Sequence, residues 1–280
     1  MTLLQAIIIA IIQGATELFP VSSLGHAAIV PALLHWSVDL HGDTFLPFLV
    51  MLHLGTATAL LLFFWGDWRA LLSGASGRDG VQRQIESVRI FILLGVATVP
   101  AVIVGGVFEH MIRHLFGTAR YAAIFLTLNG AMLLLTERVK GRGTERVLNR
   151  PIASLGMVEA VIIGLCQCLA FFPGISRSGA CIVGGLLCRM SHENAARFSF
   201  LMAQPVIRMA TVKEAFEMRH VTLAPGQLQT AGIAAVVAAI VALFSTIVLM
   251  RYFHDHEKWA LQPFGYYCIA MGVFSFIYLG

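Results

Sequence analysis

The sequence predicts an all-α polytopic membrane protein made of two inverted-topology repeats, each a re-entrant helix pair followed by three transmembrane helices. Composition comes first: 58% of the 280 residues are hydrophobic and 12% charged, with a mean hydropathy of +0.81. Several apolar runs approach the ~20 residues that a helix needs to cross a bilayer. Second, two apolar runs are broken in the middle by proline and glycine among polar residues. Third, the basic residues lie mostly in short loops between apolar runs, where they report membrane orientation. A soluble core is excluded, and the formal charge of +4 does not point to nucleic acid.

Residues 3–18 and 22–34 are each short for a span and meet at Phe19-Pro20, where proline forbids a continuous helix. They form a pair that enters and leaves by one face. Residues 45–65 give a full span whose ionisable group, His53, reads as a packed, hydrogen-bonded residue. Residues 67–89 are expected to be a Gly- and charge-rich loop. Spans follow at 90–108, interrupted by Pro100 and ending in Gly105-Gly106, and at 120–136. Between them, Glu109, His110 and His114 have the spacing of a metal pair but read better as a solvated interfacial turn. The basic stretch Arg138 to Arg150 divides the chain into halves, 1–140 and 141–280. The second half opens with a re-entrant pair over 152–187: 152–171, a break at Pro173-Gly174, and a restart near Ser178. Spans at 195–217, 227–250 and 262–280 complete it.

Sliding the chain by 153 residues lays Phe19-Pro20 on Phe172-Pro173, Ser23 on Ser176, Ile29-Val30 on Ile182-Val183 and Phe45 on Phe198. Consistent placement of breaks on weak identity is how an internal membrane repeat looks. Three spans per half is odd, so the halves sit upside down relative to each other. One face then receives Arg69, Arg78, Arg83, Arg89, Arg138, Lys140, Arg142, Arg146, Arg150, Arg251 and Lys258. The other receives Arg113, Arg120, Arg219 and Lys213. The richer face is cytoplasmic, and the first 68 residues contain no Lys or Arg, which agrees with an outer N-terminus. No basic region precedes the first apolar run, so no removable signal peptide is expected. The five cysteines form no CxxC pair and read as small packing residues, so disulfides are not expected.

The first break holds Gln13, Glu17, Ser22, Ser23, Gly25 and His26; the second holds Ser176, Arg177, Ser178 and Gly179. Carboxylate, hydroxyls and imidazole are costly at membrane depth, and such a cluster reads as a functional site. Re-entrant pairs dipping in from opposite faces bring their tips together near the midplane. The second half-helices, starting at Ser22-Ser23 and at Ser176 to Ser178, point free N–H groups and a positive dipole end into that meeting place. With the planar fork of Arg177 they make an anion site that a lipid can approach sideways.

The sequence resembles the undecaprenyl-pyrophosphate phosphatase family of the bacitracin-resistance type over most of its length. The resemblance rests on Gln13-xxx-Glu17, Pro20-Val-Ser-Ser-x-Gly-His26, Gln167-Cys-Leu-Ala and Pro173-Gly-Ile-Ser-Arg-Ser-Gly179, with Phe198-Ser-Phe-Leu as weaker support. It implies removal of one phosphate from the C55 polyprenyl diphosphate at the bacterial cytoplasmic membrane, recycling the lipid carrier of cell-wall synthesis and conferring bacitracin resistance. The chain departs from the family pattern in having Gln13 for a glutamate, Leu24 and Cys181 for threonines, and Gln204 and Arg208 in a span normally apolar.

The chemistry follows from the residues as well. Cleaving a phosphoanhydride needs charge neutralisation on the non-bridging oxygens, an in-line nucleophile and a proton acceptor. Arg177 and the helix starts supply the first; Ser23 is the candidate nucleophile, and His26, three residues on, the acceptor or the activator of water. Glu17 either orients His26 or holds a divalent cation, Mg2+ or Ca2+, on the diphosphate. Other readings stand beside these: Ser22 or Ser23 as an N-cap, Arg177 as an ion-pair partner of Glu17, His26 as the nucleophile, and Ser176 and Ser178 as caps. The partners expected are the lipid diphosphate, the bilayer and possible second copies of the chain as a homodimer. A different class of function, a polyprenyl-phosphate flippase or anion transporter, shares inverted repeats and broken helices.

Overall fold

A computed structural model describes residues 1–36, 45–108, 118–140, 150–217 and 226–279, and every described element is helical. The expectations placed on Glu109, His110, His114 and most of the Arg138–Arg150 stretch lie outside the described residues. The first half contains α1 (Leu3–Thr16), α2 (Ser23–Leu33), α3 (Phe45–Phe63), α4 (Trp65–Ala75), α5 (Val81–Val107) and α6 (Ala119–Lys140). The second contains α7 (Met157–Cys168), α8 (Arg177–Leu187), α9 (His192–Glu217), α10 (Gln227–Asp255) and α11 (Gln262–Tyr278), with 3-10 turns at Ile152–Ser154 and Leu169–Phe171.

Three described helices, α5, α6 and α10, are long and apolar enough to cross a membrane. A fourth span results if α3 and α4, bent by 65° at their junction, count as one. The two expected short-break-short runs are present as the short apolar pairs α1/α2 and α7/α8. Only 28% of the α5 window is buried within the protein, and Val99, Val102 and Ile103 point outward. An apolar face of that extent belongs against lipid tails, since water would oppose its exposure.

Two expectations are corrected. Residues 67–89 are not a loop: α4 and the first turns of α5 form a helical hairpin there, turned by Gly77 (φ 78°) and Gly80 (φ 92°). A Cβ on Gly74 would lie 2.2 Å from Ser87 Oγ, so the two arms touch where the sequence shows only small and charged residues. Pro100 does not interrupt α5, which runs unbroken from Val81 to Val107. The proline leaves one carbonyl of the preceding turn without its helical donor, and α7 packs against that turn; a Cβ on Gly164 would lie 2.3 Å from Ala97 O.

Close packing through small residues governs the remaining contacts. Gly14 on α1 and Gly55 on α3 both lie against the α10 backbone, where an added Cβ would meet Ala238 O at 2.6 Å and Ala235 O at 2.2 Å respectively. Gly130 on α6 lies against Gly265 O, and Gly272 on α11 against Ala123 O and Thr127. At the opposite end of α6 from its first turn, a charged junction ties three segments. His192 Nε2 and the Leu261 N–H both contact Glu137 Oε1, at 2.8 and 2.7 Å, while Lys140 Nζ and the His192 N–H donate to Glu257. Partial burial raises the Glu257 carboxyl, but the bonds from His192 and Lys140 outweigh it and hold the group below the usual carboxylate range.

Candidate active site

The two helix breaks lie against each other. A Cβ on Gly25 would stand 3.0 Å from Gly174 Cα, and one on Gly179 would stand 3.2 Å from Pro20 Cβ. Each break thus seats a glycine of the other half's helix start. Gly174, at φ 109°, also presses on α6, where a Cβ would lie 2.3 Å from Ala122 O. The chain reverses there only because that residue is glycine. The first break reaches its turn without glycine: Ser22 stands at φ 66°, ψ 96°, a conformation that is uncommon for a residue with a Cβ and worth of order 1–3 kcal/mol of strain.

Asn129, fully buried on α6, joins the breaks. Its Nδ2 donates to Pro20 O at 2.9 Å and its Oδ1 accepts from the Ser176 N–H at 3.0 Å. Sequence reasoning missed this residue, because an asparagine inside an apolar helix has no partner visible in its own segment. The signal available was the cost of an amide at membrane depth.

The chemical groups gather around Glu17, the C-terminal cap of α1. Its Oε2 accepts from Gln13 Nε2 at 2.9 Å and from the Ser23 hydroxyl at 2.5 Å, and its Oε1 accepts from Arg177 Nη2 at 3.3 Å. His53, on α3, brings Nε2 to 3.6 Å from the same carboxylate and 3.3 Å from Gln13 Nε2. The histidine read as a packed residue thus borders the site. Arg177 comes from α8, 160 positions away in sequence, so the carboxylate of the first break and the guanidinium of the second meet, the pairing held as an alternative reading of Arg177. Arg177 Nη1 is buried and has no hydrogen-bond partner among the described residues. One arm of the fork is therefore spent on Glu17 and the other is left for an acceptor, the arrangement an anion-binding arginine needs.

The serines divide between two tasks. Ser22 and Ser176 cap α2 and α8, accepting from the Gly25 N–H at 3.2 Å and the Gly179 N–H at 3.1 Å. Ser178 Oγ lies 3.0 Å from Ser176 Oγ and donates to Phe19 O at 3.3 Å, so both hydroxyls of the second break are turned onto the backbone of the first. Ser23 alone directs its hydroxyl to a carboxylate. His26 sits on the same helix, but its ring nitrogens face Ser22 O and the Tyr267 hydroxyl, each at 2.7 Å, and the Ser23 proton has Glu17 as its acceptor.

A divalent cation was expected at Glu17. Among the described residues no cluster of three or more His, Cys, Asp or Glu side chains is assembled to hold one. Gln13 Oε1 is nonetheless a buried oxygen acceptor beside Glu17 without a hydrogen-bond partner among the described residues. One carboxylate and one amide oxygen, completed by water and phosphate oxygens, suit a hard cation such as Mg2+.

The chain matches the family model described as bacitracin resistance protein BacA over residues 6–274. It is 67% identical over 280 residues to an undecaprenyl-diphosphatase of Gluconacetobacter diazotrophicus, covering 100% of this chain and 98% of that protein. It is 54% identical over 275 residues to the one of Gluconobacter oxydans, with 98% of each chain covered. A relative in Chromobacterium violaceum, an undecaprenyl-diphosphatase 2, is 38% identical over 278 residues and 99% of each chain. A match of that length, over a site assembled from both halves of the chain, means that this protein belongs to the bacitracin resistance protein BacA family.

Proposed function

We propose that the protein is an integral membrane phosphatase that hydrolyses undecaprenyl diphosphate to undecaprenyl phosphate and phosphate, returning the lipid carrier to cell-wall synthesis and thereby countering bacitracin. The observation that carries this reading is the Ser23 hydroxyl held on Glu17 while Arg177, from the other half, keeps Nη1 open beside it. Nucleophile, proton acceptor and anion clamp are what phosphoanhydride cleavage requires.

In the proposed reaction Ser23 Oγ bonds to the terminal phosphorus as the bridging P–O bond breaks, the lipid monophosphate leaves, and the serine proton passes to Glu17. Water then bonds to phosphorus as the serine–phosphorus bond breaks, Glu17 returns its proton to the serine oxygen, and the protons of the water leave with the phosphate. Arg177 neutralises the non-bridging oxygens throughout. The capped helix starts, Ser22 and Gly25 on one side and Ser176, Ser178 and Gly179 on the other, frame the cradle for the phosphoryl oxygens. Glu17 and Gln13 would hold Mg2+ or Ca2+, whose chemistry is to offset charge on the diphosphate. Gln13→Glu should then raise metal-dependent turnover, and an unchanged metal response would count against the cation.

The inverted repeat belongs to the same proposal. Packing across the halves comes in exchangeable couples: α1 on α10 answers α7 on α5, α3 on α10 answers α9 on α5, and α2 on α11 answers α8 on α6. Orientation in the inner membrane, with the site open to the outer face, rests on the loading of basic loops onto one side. A cysteine placed at Arg142 in a cysteine-free background should be labelled only after permeabilisation. A homodimer is a further part of the proposal, and sedimentation in detergent tests it.

The deciding experiment measures phosphate release from undecaprenyl diphosphate by purified protein in detergent. A flippase or anion transporter has no second compartment there and would release none.

A further inference from the structure

Tyr267 lies near the start of α11, 241 positions from the histidine it meets. Phe264, Tyr267 and Cys268, at i, i+3 and i+4, share one helix face, and all three reach the first break. Phe264 packs on Phe19 with ring centroids 5.5 Å apart and the planes tilted by 36°, and Cys268 Sγ accepts from Asn129 Nδ2 at 3.4 Å. The Tyr267 ring lies nearly parallel to the His26 ring, at 6° with centroids 5.7 Å apart, and its hydroxyl stands 2.7 Å from Nε2.

The hydrogen-bond directions follow from what each group can do. Ser22 O is a carbonyl and only accepts, so the nitrogen 2.7 Å from it, Nδ1, carries the proton. In the neutral ring Nε2 is then the acceptor, and the Tyr267 O–H donates to it. Ser22 O sits where it does because Ser22 holds the positive-φ conformation of the first break. The imidazole is therefore fixed at both ends, by the strained turn on one side and by α11 on the other, with its plane set by the stacked phenol.

We propose that Tyr267 is a positioning residue for His26. Its hydroxyl keeps Nε2 as the ring's acceptor and keeps the imidazole turned away from Ser23, so that Glu17 alone receives the serine proton while His26 stays neutral beside the phosphoryl site. The inference rests on the phosphatase reading above for its kinetic consequence and on the structure alone for its spectroscopic one.

Tyr267→Phe removes one oxygen and leaves the ring. In detergent-purified protein acting on undecaprenyl diphosphate, kcat should fall about tenfold, the size of one positioning hydrogen bond. KM should stay within about twofold, with an unchanged melting temperature. In a His26→Ala background the same substitution should change nothing further, since groups acting as a unit are non-additive. Wild-type kcat in Tyr267→Phe, or an independent loss in the double variant, overturns the proposal. 15N NMR of labelled histidines, with His26→Asn to assign the signal, should show wild-type His26 protonated at Nδ1 and a moved Nε2 resonance in Tyr267→Phe. An unmoved resonance overturns the proposal even if the phosphatase reading stands. An inactive wild type with the expected resonance would defeat that reading and leave the positioning contact intact.

Discussion

The two helix breaks solve one problem by opposite means. The second turns on a glycine at φ 109° packed onto α6, and its serines bind backbone. The first turns on Ser22 at φ 66°, and the serine beside it holds a carboxylate. On the proposed reaction, the relaxed turn positions the anion clamp and the strained turn carries the nucleophile. The pairing also separates charge, since the first break contributes the carboxylate and the second the guanidinium, so neither half has a complete site.

The largest test of that division is Ser23→Ala. If the first break supplies the nucleophile, turnover should fall by about 10³-fold or more while lipid binding persists. Arg177→Ala should lose about 10²–10³-fold, as for an oxyanion donor, and weaken binding too. Arg177→Lys should restore only part, because a lysine lacks the fork. Comparing the single variants with Ser23→Ala/Arg177→Ala by phosphate release sharpens the point, since the double variant should be scarcely worse than Ser23→Ala alone.

Stability separates the breaks next. Gly174→Ala must place a methyl 2.3 Å from Ala122 O at a positive φ, so it should cost about 3 kcal/mol or more, or prevent folding. Ser22→Gly keeps the turn, relieves the strain and loses the cap, and should stay within about 1 kcal/mol of wild type. Thermal unfolding in detergent checks both, and equal losses would end the distinction between a relaxed and a strained turn. Asn129→Ala falls between them: it strands the Ser176 N–H, worth about 1–3 kcal/mol when buried and unpaired, and leaves Pro20 O with the weak Cys268 thiol donor.

The smallest effect is expected away from both breaks, at Glu257. Its folded-state pKa is depressed, so its contribution is present above the unfolded value and lost as pH falls through the folded one. Glu257→Gln should therefore lower the melting temperature by a few degrees near pH 7, and the difference should close below about pH 4.

Much of this was legible in the residues. Pro20 and Pro173 forbid continuous helix, so both breaks were legible there, and the polar side chains around each marked them out from the apolar runs. The errors share a cause. The 67–89 hairpin is held by Gly74 against Ser87 and the unbroken α5 by Gly164 against Ala97, and contacts between distant segments leave no period in a local window. The same holds for the partners of the site: Asn129, His53 and Tyr267 lie on ordinary apolar helices and acquire roles only from what packs beside them. The Ser23–Glu17 contact was missed for a different reason, since helical spacing pointed to His26 while the strained turn swings the serine back toward α1.

Asn129 also sets a mechanical limit. Its amide is bonded to both halves at once, and Gly25 and Gly179 are seated in the opposite breaks. A rocking motion that exposed the site to each face of the membrane in turn would have to unseat two glycines and strand a buried amide with both its partners. On the proposed function, the joint between the halves would act as a fixed bearing rather than a hinge, with a lipid headgroup coming to it from the side while the two halves stay locked.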